Sequence, residues 1–197
     1  MNIKKWLPLI ILVFVLVLGY SRIKNFNNTA VVYEEDAKTS WSNVESSYQR
    51  RADLIPNLVS TVKGYAAHEK ETLEAVIKAR ASATSATIDA NNLTPEKMAQ
   101  FQKAQQGLAG ALGKLMVVAE RYPELKANQN FLELQSQLEG TENRINVERN
   151  RFNGFVNTYN KFVKIFPNSI FAGWFGFEEM NRFQSSEGSE KAPEVKF

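Results

Sequence analysis

From Trp6 to Tyr20 the chain is almost purely apolar, and beyond residue 30 its apolar residues return in threes and fours. The run WLPLIILVFVLVLGY is bracketed by Lys4, Lys5, Arg22 and Lys24. As a helix it would cover roughly 22 Å, short of a hydrocarbon core of about 30 Å. Trp6 and Tyr20 suit the two interfaces, the basic side chains can reach outward along their stems, and Ile23 and Phe26 lengthen the apolar face. The segment is therefore expected to span a locally adapted bilayer. A cleaved signal peptide is the competing reading, but no small-x-small site follows the run, which favours a retained anchor. Two lysines on one side and Arg22 with Lys24 on the other give no orientation.

Past a polar connector, Trp41, Val44, Tyr48, Arg51, Ile55, Leu58, Val62 and Tyr65 keep one stripe of a helix facing a partner. That helix is expected to begin between Val31 and Ala37 and to end near Tyr65. Arg51 interrupts its apolar row. Pro56 lies mid-helix, removes a backbone donor and crowds the preceding turn, so a kink or break is expected there. A second, weaker helix starts near His68, with Leu73, Ile77 and Ala81 on one face, and dissolves in SATSATIDANN. Thr94 before Pro95 reads as a cap and first turn. The third stripe follows: Met98, Phe101, Gln105, Leu108, Leu112, Leu115, Ala119 and Tyr122, ending at Pro123. The fourth and longest helix repeats Phe131, Leu138, Ile145, Phe152, Tyr159 and Phe166 seven apart, interleaved with Leu134, Thr141, Glu148, Phe155 and Phe162.

Sustained heptads on segments joined by turns predict an all-α protein: an N-terminal transmembrane helix followed by a long antiparallel four-helix bundle. The expected organisation is an anchor over residues 1–24, a connector over 25–36, a bundle with an aromatic C-terminal segment over 37–183, and a disordered polar tail over 184–197.

The stretch RRADLIPNLVSTVKGYAAHE carries a specific resemblance. Arg51, Asp53 to Val59, Thr61 to Tyr65, His68 and Glu69 fit an R-x-D-L-I-P-N-L-V-x-T-V-K-G-Y-x-x-H-E signature typical of the LemA family of bacterial membrane-anchored helical proteins. RYPELKANQNFLELQ from Arg121, GTENRINVERNRFNGFVNTYN from Gly140 and FPNSIFAGWFGF from Phe166 also resemble that family. One departure is Phe152, where relatives often carry tyrosine, and only a hydroxyl contact is at stake. The resemblance implies a single-pass anchor and a long antiparallel bundle, with no established enzymatic activity.

Composition narrows the chemistry. With no cysteine there is no disulfide, thiolate metal site or lipidated N-terminal cysteine, and with His68 as the single histidine neither an imidazole zinc site nor a pair of Glu-x-x-His motifs can be assembled in one chain. His68 is expected to cap or pack at a helix junction. The formal net charge of +3 comes from 24 basic and 21 acidic residues spread along the chain, so no nucleic-acid partner is implied. There is no phosphate-binding glycine loop. Gly107, Gly110 and Gly113 sit three apart in the third helix and are read as permitting close helix approach. No catalytic set, cofactor or metal is expected.

The polar residues on the seams are the sharper candidates. Arg51 falls on the core row of the first bundle helix and Glu148 on that of the fourth, with Glu142 and Arg149 one position round. A buried unpaired charge is unfavourable, so an ion pair across helices is expected, either fixing register or serving a partner. Asp53 and Asn57 flank Pro56 and are placed to satisfy backbone groups that it frees. Asn153, Asn157 and Asn160 are expected to be solvated or to bond a loop. Phe171, Trp174 and Phe177 belong to an aromatic run that either folds back over one end of the bundle or meets a membrane or protein. The function expected is that of a non-enzymatic scaffold or adaptor at the bacterial inner membrane, with an unidentified protein partner. A regulator of membrane proteolysis and a lipid-binding or membrane-remodelling protein are the alternatives.

Overall fold

The structure, a computed structural model, describes residues 3–184, with side chains from residue 6 onward. The described residues form six helices and no strand: α1 Ile3–Tyr65, α2 Lys70–Ser85, α3 Pro95–Ala119, α4 Pro123–Lys126, α5 Gln129–Lys164 and α6 Asn168–Phe175. Apart from Gln184, the expected disordered tail lies outside the described residues.

The first departure from expectation is at the connector. Residues 25–36 are helical throughout, so apolar segment and first bundle helix are one helix of 63 residues, about 95 Å long. Polarity alone does not end a helix. Between Asn25 and Asp36 there is no glycine or proline to stop propagation, and Phe26 and Ala30 are already buried against the bundle. Nor does the helix break at Pro56. The missing proline amide leaves the Ala52 carbonyl without its usual helical partner, and Arg80 of α2 supplies the replacement, its Nε donating to that oxygen at 2.8 Å. Asp53 and Asn57 do not take this role. Asp53 accepts from Gln49 at 2.7 Å, and the Asn57 carbonyl receives the Thr61 hydroxyl.

α5 runs antiparallel to α1 along nearly its whole length, matching Tyr65 with Asn128, Arg51 with Glu142, Trp41 with Phe152 and Phe26 with Phe162. α2 and α3 form a hairpin laid on this pair. The hairpin is registered by Gln105 donating to the Ala83 carbonyl and by the Tyr122 hydroxyl on Glu69. As expected, Thr94 caps α3 by accepting from the Lys97 amide. Pro123 stops nothing further on: it opens the short turn of α4, and Asn128 then caps α5.

Several stripe positions move. α2 buries Leu73, Val76 and Ala83, leaving Ile77 exposed. At the end of α1, Tyr65 is exposed and Ala66, the residue after the helix, is buried instead. On α5 the inward row passes from Glu148 and Phe152 to Val156, Tyr159 and Val163, while Phe155 and Phe166 face out. A straight helix drifts about 20° per heptad against a strict seven-residue repeat, and over 36 residues that drift moves the seam by one position. Gly107, Gly110 and Gly113 lie on the solvent side of α3, with nothing within 4 Å of where a Cβ would sit. They therefore do not bring helices together.

The core has three parts. Farthest from the apolar end of α1, aliphatic side chains from α1, α2, α3 and α5 close around Ile55, Leu58, Val76, Leu108 and Leu115. The middle is aromatic, with Trp41 against Phe101, Phe152 and Phe183 at centroid distances of 5.3 to 5.5 Å. Nearest the apolar end, Phe26, Tyr159, Val163 and Ala172 form a small third cluster.

Candidate functional site

Between the aliphatic and aromatic parts lies a polar layer. Arg51 projects inward from α1 and is 3% exposed. Its Nη1 donates to Glu142 Oε2 at 2.7 Å, and its Nη2 donates to Gln105 Oε1 at 2.7 Å and to the Gln105 carbonyl at 3.3 Å. The guanidinium also lies 5.1 Å from the Tyr48 ring centroid. One buried cation is thus held by a carboxylate, an amide and an aromatic face, while its Nε is buried without a hydrogen-bond partner among the described residues. Burial raises the Tyr48 hydroxyl pKa above its usual 10, with Arg149 and Arg51 opposing. Glu142 keeps 48% of its side chain accessible, so the pair opens to water on one side.

Of the two carboxylates expected as Arg51 partners, Glu142 is the one the structure brings to it. Glu148 is buried on the same helix, 3.9 Å from Arg151, and among the described residues its Oε2 finds no hydrogen-bond partner. Arg149 reaches this layer only at the Tyr48 hydroxyl and does not meet Arg51 or Glu142. It lies over the Phe183 ring at 4.7 Å and donates to the Gln184 carbonyl. Gln105 is a polar member of the stripe whose role as second acceptor for Arg51 emerges only when α3 is packed.

Beside this layer an open groove of about 770 Å³ runs between α1, α2 and α3, lined by Glu45, Gln49, Asp53, Thr84 and Gln105 among others. Burial raises the Glu45 carboxyl pKa above its usual value, against the hydrogen bond from Trp41. His68 is exposed at the α1 to α2 turn and makes no capping bond among the described residues; Glu69 ties that junction to Tyr122 and Arg121. No group of three or more His, Asp or Glu side chains gathers to hold a metal ion among the described residues.

A second feature was read only in outline from sequence. After α6 the chain runs back along the bundle without secondary structure through residues 177–184, and α5 grips its backbone. Asn160 donates to the Met180 carbonyl and accepts from the Met180 amide, each at 2.9 Å. Seven residues earlier on α5, Asn153 makes the same pair of bonds to Phe183, at 3.1 and 2.9 Å. Asn181 bonds the Leu93 carbonyl and the Tyr159 hydroxyl the Glu178 carbonyl. Burial pushes the Tyr159 pKa up to about 12. Two amides one heptad apart thus satisfy an extended segment that has no strand partner. Asn157 takes no part.

The third feature is the aromatic end. Phe171 and Phe177 pack on Phe26, as does Phe175 at a centroid distance of 6.4 Å. Phe162 stacks on the same ring at 5.4 Å. Gly176 ends α6 at φ +74°, a conformation that strains any side-chain-bearing residue, and lets the Phe177 amide bond the Ala172 carbonyl. Trp174 touches Phe171 but is itself 70% exposed.

These features define an all-α protein in which one helix, long and apolar enough to cross a membrane, continues into a helical bundle with a polar inner layer. The chain matches the LemA family over residues 40–197 and belongs to that family. Over 184 residues it is 27% identical to magnetosome protein MamQ 2 of Paramagnetospirillum magneticum and 26% identical to magnetosome protein MamQ of Magnetospirillum gryphiswaldense, in each case 83% of this chain and 66% of the relative. It is also 23% identical over 194 residues to protein LemA of Metamycoplasma hominis, 94% of this chain and 85% of that protein. The chain thus spans just under two thirds of the length of the MamQ relatives.

Proposed function

We propose that the protein is a non-enzymatic scaffold or adaptor at the bacterial inner membrane, which anchors by residues 6–24 and presents its bundle to a protein partner. The observation that carries this reading is α1 itself. The same uninterrupted helix supplies the apolar segment, none of which is buried, and the central row of the bundle core. The buried cation is held by protein groups on three helices, an arrangement that serves register better than turnover. The groove beside it offers polar side chains on a fixed frame, as a partner-binding surface requires.

Photo-crosslinking in cells tests the proposal, with a photoreactive residue at Gln49 or Asp53 in the full-length chain and in a chain lacking residues 1–20. A discrete protein adduct is expected with the anchored chain and is expected to be lost without the anchor. Absence of any adduct from both positions, or release of the full-length chain from membranes by high salt, would overturn it.

A further inference from the structure

α1 fixes where the aromatic end sits relative to a bilayer. With Trp6 at one interface, a hydrocarbon core of about 30 Å adapted to the shorter apolar run brings the other between Tyr20 and Phe26, where Arg22 and Lys24 can reach outward to the headgroups. Phe26 is the residue on which α6 is built, through Phe171, Phe175 and Phe177. α6 is therefore held at the level where α1 leaves the hydrocarbon. On its other side it shows Ile170, 45% exposed, and Trp174, 70% exposed, and Phe166 just before the helix is 77% exposed. Arg22 and Lys24 on α1, and Lys161 and Lys164 in the last turn of α5, share this end of the molecule, with Lys164 also pairing Glu179 at 2.7 Å.

We propose that α6 lies in the lipid–water interface of the membrane that α1 enters, with Phe166, Ile170 and Trp174 between the headgroups and the acyl chains. Apolar side chains that water would disfavour thereby gain a partner, the tryptophan ring finds the interfacial setting it prefers, and the basic residues sit at headgroup height. The bundle then meets the membrane at two points, and its tilt is set by the second. The inference rests on reading residues 6–24 as a membrane anchor.

The natural chain has no cysteine, so single nitroxide labels can be placed without background at Val15→Cys, Ile170→Cys, Trp174→Cys, Val117→Cys and Val147→Cys. All five positions are exposed, and only Trp174→Cys gives up a ring contact, that with Phe171. The full chain is reconstituted in phosphatidylethanolamine and phosphatidylglycerol vesicles, and collisions with oxygen are compared with collisions with a water-soluble nickel chelate. The labels at 15, 170 and 174 are expected to favour oxygen several-fold, with 170 and 174 shallower than 15, while 117 and 147 favour nickel. If 15 is lipid-exposed but 170 and 174 react with nickel like 117 and 147, the interfacial placement is wrong and the anchor stands. If 15 also reacts with nickel, the anchor reading fails. Protection at 170 and 174 that disappears as protein is diluted into lipid marks a contact between two copies and also overturns the proposal.

Discussion

The two ends of the bundle solve the burial problem differently. Far from the apolar segment, α2 and α3 cover α1 and α5 mainly with Leu, Ile and Val, beside the one buried ring of Phe131. Nearer the apolar segment the α2 to α3 hairpin turns back, so α1 and α5 continue with two flanks uncovered. What fills them is a length of irregular chain and one short helix, and the side chains become large: Trp41, Phe101, Phe152 and Phe183, then Phe26, Phe162, Phe171 and Phe177. Aliphatic residues suffice where helices supply both surface and hydrogen bonds. Where an extended segment replaces a helix, aromatic rings bridge the wider gap and asparagine side chains take over the backbone bonding.

The sharpest way to break this contrast is to remove one large residue from each end. Trp41→Ala is expected to lower stability by about 4 kcal/mol and Leu115→Ala by about 3, since each empties a fully buried site. Only Trp41→Ala should also speed amide exchange across residues 178–184, because Phe183 stacks on its ring. Thermal unfolding of the full chain in micelles, with hydrogen exchange read by mass, checks both, and equal exchange in the two variants would erase the distinction.

The polar layer at the boundary should respond asymmetrically. Glu142→Gln leaves the Arg51 guanidinium buried without its anion and is expected to lose about 2 to 3 kcal/mol, whereas Arg51→Met leaves a half-exposed Glu142 that water can solvate and should lose less. The reverse order in denaturation would show that the charge sits in a wetter site than its burial indicates.

Arg80 and Pro56 give a smaller, coupled effect. Arg80→Met is expected to lower stability by about 1 to 2 kcal/mol, because the Ala52 carbonyl loses its donor. In a Pro56→Ala background most of that loss should vanish, since residue 56 then donates the ordinary helical bond, and a double-mutant cycle measures the difference. Smallest is a gain: Gly110→Ala, on the open face of α3, is expected to raise stability by about 0.5 to 1 kcal/mol.

The order and most inward rows of the long helices were legible in the sequence because apolar spacing reports helix faces directly, whereas the fusion of anchor and first bundle helix and the short helices α4 and α6 were not. Thr94 as a cap, the Phe101 to Leu115 stripe and a cross-helix partner for Arg51 follow from local rules. The residues that escaped are those whose role is set by elements distant in sequence. Arg80 lies 28 positions from the carbonyl it serves, Gln105 54 from Arg51, and Asn181 88 from Leu93. The heptad pattern chose Phe155 where α5 turns Val156 inward, and it passed over Val163 beside the packed Phe162, because a repeat of seven and a turn of 3.6 residues part company over a long helix. Phe26 read as an extension of the anchor, yet it is the seat of α6. A soluble fragment started near Asn28 would therefore strip the cover from Phe162 and Phe171, and a start near Ser21 keeps it.

The unbroken course of α1 also has a mechanical side. From Phe26 to Tyr65 the helix rises about 58 Å, so a tilt of about 10° at the membrane carries the far tip sideways by about 10 Å. With no break in the helix between Phe26 and Tyr65, any reorientation of the apolar segment would be carried to the loops at the far end. On the proposed anchoring, the bundle would act as a lever pivoting at the membrane surface.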